Sequence, residues 1–324
     1  MTLWSHRLIV VAGKGGVGRT STSVCLALAA AARGMRTAVV ELQHMSGVAD
    51  LWGLPSRSYQ PQQLVPGVDT MSLSPMECLD DFGRRRLKVN ALVRLVFHNR
   101  IMSAFLDAVP GLHDLLQLGK LRNLLQEPEP YDPSYDLLIL DAPATGHGLT
   151  LLSSARSMGE MTRVGPFFEE AKRIEDMLGD PEHTALVLVT LPEELPVNES
   201  LELVDRLGPD KPLLQAVVVN QVLRDPLPPG VPWLRMREVL ASHPHPSMGP
   251  LLALADETAA RHRAQARALR LLRSGLPEAL GAEVPVVGLP YVPGGPRVER
   301  CGALAEQLAE ALDSQEPAVV EGAA

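Results

Sequence analysis

Residues Leu8 to Ser21 read LIVVAGKGGVGRTS, and the fold is read outward from them. An apolar, β-branched run from Leu8 to Val11 gives way to a glycine-rich turn and then to an alanine- and leucine-rich segment, the pattern of strand, loop and helix. Against the phosphate-binding pattern G-x-x-x-x-G-K-[ST] the loop supplies Gly13, Gly18 and Thr20, with Arg19 where the lysine is expected. Glycines in such a loop let successive backbone N–H groups turn inward, forming an anion nest at the positive end of the following helix. A phosphate chain is the natural guest. The candidate binding residues are Gly15, Gly16, Val17, Gly18, Arg19, Thr20 and Ser21.

The chain has 324 residues, 46% hydrophobic and 21% charged, enough for one sizeable core or two modest ones. No apolar run approaches the roughly 20 residues needed to cross a bilayer. The alanine-rich stretch from Val24 to Ala32 runs straight into Arg33-Gly34, and it reads as a buried helix rather than a signal peptide. Cys25, Cys78 and Cys301 are far apart and form no C-x-x-C, which argues against a disulfide framework and fits a reducing cytoplasm. A net charge of −8 disfavours nucleic acid as the main partner. The basic run Arg84 to Lys88 has no interleaved aromatic and reads as a solvated helix face.

Further apolar runs predict strands near 37–42, 136–141, 185–190, 213–219 and 285–289, alternating with helices. The expected fold is α/β, a doubly wound, mostly parallel sheet of the P-loop NTPase kind. Ligands in such sheets bind beyond the strand carboxyl ends, where the glycine-rich loop, Gln43, Asp141 and Asn220 all fall. Asp141 closes the run Leu-Leu-Ile-Leu and would face the loop, where a carboxylate can hold a magnesium-bound water. One domain is expected over 1–313, with a helical insertion at about 75–130, a helical segment at about 233–276 and a disordered tail over 314–324. Arg261, Arg263, Arg267 and Arg270 belong on an exposed face of that segment. The insertion's leucines, spaced by three and four, fit helix-on-helix packing or an apolar face offered to a client.

Lys14 sharpens the loop: K-G-G-x-G-[KR]-T resembles the deviant Walker A of the MinD, ParA and ArsA-type ATPases. Asp141 to His147, of form D-x-P-x-T-G-H, is similar to the second switch of ArsA-type proteins. Residues 43–53 fall where that family and the related tail-anchored-protein targeting ATPase carry a first switch, D-P-A-H-N-L-S-D-A-F. This alignment sets Gln43 on the Asp that positions the attacking water and Asp50 on the later Asp. Pro192 to Glu199 is similar to the family's P-E-x-x-x-x-x-E segment.

The resemblance to the ArsA-type family covers roughly residues 7–312 and is closest to short bacterial members occurring as paired dissimilar subunits. It implies ATP or ADP with Mg2+ as cofactors and a dimer, preferably with a paralogous ArsA-like ATPase, acting on an unidentified client protein. It implies that Thr20 and Asp141 face the metal, with Asp141 also catalytic. Lys14 would reach across the dimer interface to the partner's nucleotide, a catalytic role in trans. Asn220 would contact adenine, and Pro290 and Tyr291 would lie where the family closes over the base. Taken alone, an asparagine at a strand end is more often a turn former. Arsenite-binding cysteines have no counterparts here, and the acidic tail lacks the basic amphipathic membrane anchor of MinD.

Two departures bear on mechanism. Arginine keeps the charge of the P-loop lysine but is a larger planar fork, and Gln43 removes a carboxylate. Coding bias accounts for the first, since the chain has five lysines and 25 arginines, but not for the second. The expectation is a subunit that binds nucleotide, hydrolyses it poorly and regulates a partner ATPase. The alternatives are a competent homodimeric ATPase and, disfavoured by the T-G-H string and the insertion, a ParA/MinD-like positioning ATPase.

Overall fold

A computed structural model describes residues 2–42, 47–54, 57–87, 109, 111–126, 134–143, 166–224, 233–242, 245, 248–294 and 298–314. Strand β1 (Leu8–Gly13) is buried along its whole length, as a strand covered by helices on both faces must be. It runs parallel to β5 (Leu137–Asp141) on one side and β6 (Thr184–Thr190) on the other, with Val11 opposite Asp141 and Val187. With β2 (Thr37–Leu42), β3 (Gln62–Val65), β4 (Val68–Leu73), β7 (Leu214–Val222) and β8 (Val286–Pro290), these form an eight-stranded sheet of order β3-β4-β2-β5-β1-β6-β7-β8. Every pairing is parallel except β3 with β4. The expected doubly wound, mostly parallel sheet is therefore present.

Alternation along β1 sorts the two cores. Leu8, Val10 and Ala12 point to one face and Ile9 and Val11 to the other. The second face is covered by α1 (Arg19–Ala31), α2 (Gly47–Trp52) and α9 (Val298–Asp313). The first is covered by α3 (Pro75–Leu87), α4 (Leu112–Gln126), α5 (Pro166–Gly179), α6 (Glu194–Arg206) and α8 (Met248–Leu280). A short helix α7 (Trp233–Ala241) buries no residue and is tied to α8 through Asp256, which accepts from Trp233 Nε1 and Arg237 Nε at 2.9 Å each.

The β3–β4 hairpin is an addition to the six strands that the sequence pattern predicts. Its turn is Pro66-Gly67, with Gly67 at φ +86°, and its strands mix buried with half-buried and exposed positions rather than forming a continuous apolar run. The helical segment expected over 233–276 is two helices, and the four arginines on α8 are exposed as expected.

Of the expected insertion, the described parts are α3 and α4, and residues 88–108 lie outside the described residues. Helix α4 is enclosed along most of its length, and even Gln117, Lys120 and Arg122 are buried. Gln117 Nε2 donates to the Leu73 carbonyl at 2.7 Å, Lys120 meets Asp81 at 2.8 Å and Arg122 meets Glu170 at 3.1 Å. Its leucines serve packing. No described helix is long and apolar enough to cross a membrane.

Candidate nucleotide site

The loop from Lys14 to Gly18 leaves the carboxyl end of the central strand and delivers the chain into α1. Gly18 caps that helix at φ +93°, and a Cβ there would stand 2.0 Å from Asn220 Nδ2. Glycine is needed because the Asn220 amide lies over this position, donating from Nδ2 to the Val17 carbonyl at 2.9 Å. Strand β7 thereby clamps the loop. Gly15 and Gly16 are exposed, Gly16 has φ +83° with open space where its Cβ would be, and Ser21 is half-buried in the first turn of α1. The backbone nest is thus accessible. Lys14 leaves it sideways, with Nζ 3.0 Å from Glu199 Oε1 on α6.

Beneath the loop, Asp141 is fully buried at the end of β5. Its Oδ2 accepts the Thr20 hydroxyl at 2.6 Å, while Oδ1 has no hydrogen-bond partner among the described residues. Burial pushes the Asp141 carboxyl above the ordinary carboxylate range, against the Thr20 hydrogen bond and the charge of Arg19. An orphaned carboxylate oxygen beside a threonine hydroxyl fits a hard cation such as magnesium, which takes oxygen ligands and keeps several waters. Among the described residues no group of three or more His, Cys, Asp or Glu could hold a metal by itself. Thr20 and Asp141 therefore fit a cation shared with phosphate and water rather than a closed protein cage.

Arg19 is buried, and its Nη1 donates to the carbonyl of Ala142, directly after Asp141. Burial pushes the guanidinium below its ordinary pKa, and the nearby Asp141 charge opposes this. The residue in the P-loop lysine position is thus bonded to the end of β5. Glu41 lies beside it in the sheet as the register partner of Asp141, and its Oε1 accepts from the backbone N–H of Gly47 at 2.9 Å and of Val48 at 3.0 Å. Burial raises the Glu41 pKa; the two amides lower it, and the Asp141 charge raises it further.

On the other side of Asn220, the chain turns through Gln221 at φ +60°, a left-handed conformation rare for a side chain of this size. The Val222 carbonyl accepts from Tyr291 N at 2.8 Å, which brings Pro290 and Tyr291 beside the end of β7. A cavity of about 770 Å³ opens here, lined by Glu193, Gln221, Arg261, Gln265, Arg267 and Tyr291 among others. Its size suits a nucleoside-sized ligand. Gln265 seals one wall by pairing with both backbone groups of Leu223 at 2.9 and 3.1 Å.

The fold thus gathers Lys14, the loop glycines, Arg19, Thr20, Ser21, Asp141 and Asn220 at one edge of the sheet, with Pro290 and Tyr291 flanking the adjacent cavity. Gln43, Thr145, Gly146 and His147 lie outside the described residues, and Asp50 is exposed on α2. Sequence reasoning passed over Glu41 and over the pairing of Glu199 with Lys14. The first had a signal, an acid near the end of an apolar strand like that of Asp141, whereas the second joins residues remote in sequence.

Comparison with known proteins agrees with this geometry. The family described as anion-transporting ATPase matches residues 6–166 and 159–238. The ATPase BagA of Mycobacterium tuberculosis is 29% identical over 225 residues, covering 66% of this chain and 65% of the relative. An ATPase ASNA1 homolog of Paramecium tetraurelia is 26% identical over 254 residues, covering 66% and 74%. A putative arsenical pump-driving ATPase of Aquifex aeolicus is 23% identical over 233 residues, covering 60% and 58%. The matched region thus spans just under two thirds of the mycobacterial relative. With more than half of its length matched, and with the loop, the buried aspartate and the parallel sheet in register, the chain belongs to the ArsA family of ATPases.

Proposed function

We propose that the chain binds ADP or ATP with magnesium and acts as a hydrolysis-impaired subunit that completes or regulates the site of a partner ArsA-like ATPase. The observation that carries the binding reading is the orphaned Oδ1 of Asp141 beside the Thr20 hydroxyl, at the foot of an accessible glycine nest. Backbone N–H groups of residues 15–21 would hold the phosphates, and Thr20 and Asp141 would hold the cation with its water. Bound there, magnesium would neutralise charge on the phosphate oxygens. Asn220, Pro290 and Tyr291 would bound the base. Isothermal titration with ADP and ATP, with and without magnesium, tests this. Absence of binding at millimolar nucleotide overturns it.

The regulatory part rests on Arg19 and Lys14. Arg19 is engaged with the Ala142 carbonyl, and Lys14 is directed away from its own nest toward α6. A cation delivered in trans to a transferring phosphoryl group is worth roughly 10³–10⁵ in rate by analogy with arginine fingers. Turnover of the isolated chain should therefore be slow, and Lys14→Ala should lower turnover of a mixed assembly by about tenfold or more while leaving this chain's nucleotide affinity unchanged. A second reading, a competent homodimeric ATPase with a client to target or transport, is favoured by the retention of Lys14, Thr20 and Asp141 together. Rapid hydrolysis by the isolated chain, abolished by Lys14→Ala, would establish that reading instead. A cytoplasmic location and a paralogous partner belong to the same proposal.

A further inference from the structure

We propose that α7 and the first half of α8 form an arm that clasps a second copy of this chain. The inference does not rest on nucleotide binding, because no residue of the arm belongs to the glycine nest. Gln265 of α8 pairs with both backbone groups of Leu223, one residue past the carboxyl end of β7. From there α8 runs back along α6, where Gly275 packs against Leu201, toward the start of β8. Residues 248–264 therefore stand beyond the carboxyl edge of the sheet, by about 25 Å at 1.5 Å per residue. None of them is buried, and neither is any residue of α7, which Trp233 and Arg237 tie to Asp256. All of α8 lies past residue 238, where the family match ends.

The arm carries an apolar stripe that is covered at one end and bare at the other. Leu269 and Leu272 are buried in the core. Leu251 and Leu254 each stand 18 residues earlier, five whole turns at 3.6 residues per turn, and so on the same stripe. These two are 57% and 62% exposed, and Leu234 and Val239 of α7 are exposed as well. The other exposed large apolar side chains among the described residues are Leu195, Leu271 and Tyr291, and they gather at the root of the arm. Leu271 and Tyr291 line the cavity there, and Leu195 follows Glu194, which lines it too. Single exposed leucines are ordinary, but their confinement to one arm and its root marks a protein-binding surface.

Charge and size identify the occupant. Glu193 and Glu194 at the start of α6 share the cavity with Arg261 and Arg267 of α8, yet among the described residues no ion pair joins the two signs, and Arg261 instead meets Glu257 at 2.6 Å. A surface that holds leucines and both charges is self-complementary, as a two-fold pair requires. In such a pair the stripe of each arm covers Leu195 of the partner subunit, and Arg267 meets Glu194 of the partner subunit. Helix α7 and residues 248–264 also match the roughly 20–30 residues that one side of a stable interface uses. A mixed assembly would form when a paralogous subunit replaces one copy.

The test is sedimentation equilibrium of the full chain without nucleotide, in chelator, for the natural sequence, the double variant Leu251→Glu with Leu254→Glu, Arg267→Glu and Glu194→Arg, with circular dichroism to confirm that each is folded. The natural chain should be a dimer at about 100 μM, and the double leucine variant should weaken it by about tenfold or more. Arg267→Glu and Glu194→Arg should each weaken it by about tenfold alone, and an equimolar mixture of the two should restore it to within about threefold, because each copy then presents the charge that the other lacks. Only contacts made between copies can be rescued by mixing. A natural chain that stays monomeric at about 100 μM overturns the proposal, also if it then binds phosphatidylserine vesicles instead. Dimerisation untouched by the leucine variant, or charge variants that mixing does not rescue, overturns it as well. A dimer that forms only with ADP or ATP and ignores all these variants removes the arm and leaves the nucleotide reading standing. An arm-dependent dimer that binds no nucleotide does the reverse.

Discussion

Replacing Asp141 by asparagine should make the free protein more stable and the loaded protein less so. The carboxylate is fully buried with Oδ1 unpaired among the described residues, and burial outweighs the Thr20 hydrogen bond and the Arg19 charge, so its ionised form sits uphill of water. A buried polar atom without a partner costs about 1–3 kcal/mol, more when charged. Asparagine keeps an oxygen for the Thr20 hydroxyl and removes the charge. The expected gain is about 1–2 kcal/mol, or roughly 2 °C or more in Tm. Saturation with magnesium and nucleotide reverses the order. At 100 times Kd the natural protein gains about 2.7 kcal/mol, and a variant whose affinity has fallen about a hundredfold gains about 2.3 kcal/mol less at the same ligand concentration, more than its gain when free. Scanning calorimetry of both proteins, with and without magnesium and ADP, gives all four values. If Asp141→Asn is the less stable protein when free, the orphaned carboxylate is not the strained group described here. If it keeps the full magnesium-dependent gain, Asp141 does not face the metal.

Arg19→Lys should raise nucleotide affinity or turnover by about tenfold, because an ammonium is not held to the Ala142 carbonyl by a planar fork; no change in either, by calorimetry and phosphate release, counts against the geometric argument. Glu199→Gln should free Lys14 at a cost of no more than about 1 kcal/mol to stability, leave this chain's own ADP affinity unchanged and raise turnover of a mixed assembly; a fall in the chain's own affinity would place Lys14 at its own nucleotide. Glu41 and Asp141 are both raised by burial, so the native state keeps protons that the unfolded chain has lost above the ordinary carboxylate pKa of about 4. Urea midpoints should accordingly fall as pH rises from about 4 toward neutrality, and this fall should shrink in Asp141→Asn; an unchanged slope would remove that carboxyl as its source.

The parts of this site that were legible in the sequence are those whose physics is local. Leu8 to Ser21 states its own strand, turn and helix, and Asp141 announces itself as a charge closing an apolar strand. The β3–β4 hairpin was not legible, because an edge pair with one solvated side lacks the continuous apolar run that marked the parallel strands. Helix α4 was legible as a helix but not as an enclosed one, since Gln117, Lys120 and Arg122 read as a polar face until Leu73, Asp81 and Glu170 are placed around them. The partners of Lys14 and Arg19 were not legible at all. Glu199 and Ala142 come from distant strands and helices, and only the closed sheet brings them to the loop.

Those two partnerships differ in a way that bears on which cation the chain can offer. Lys14 and Glu199 are 38% and 28% exposed, so their ion pair is screened by water and worth about 0–1 kcal/mol. Lys14 can leave Glu199 at little cost. Arg19 is 7% exposed and its hydrogen bond runs from a charged fork to a backbone carbonyl, an interaction of about 1.5–3 kcal/mol whose loss would also leave the Ala142 oxygen without that donor. To serve its own phosphates the guanidinium must first give up that bond in a buried place, whereas the lysine need only swing through solvent. The cation that is cheap to move is the one directed away from this chain's own nest, and the cation beside the nest is the one held fast. That asymmetry is what a subunit would need if its contribution to hydrolysis were made at a neighbour's nucleotide rather than at its own.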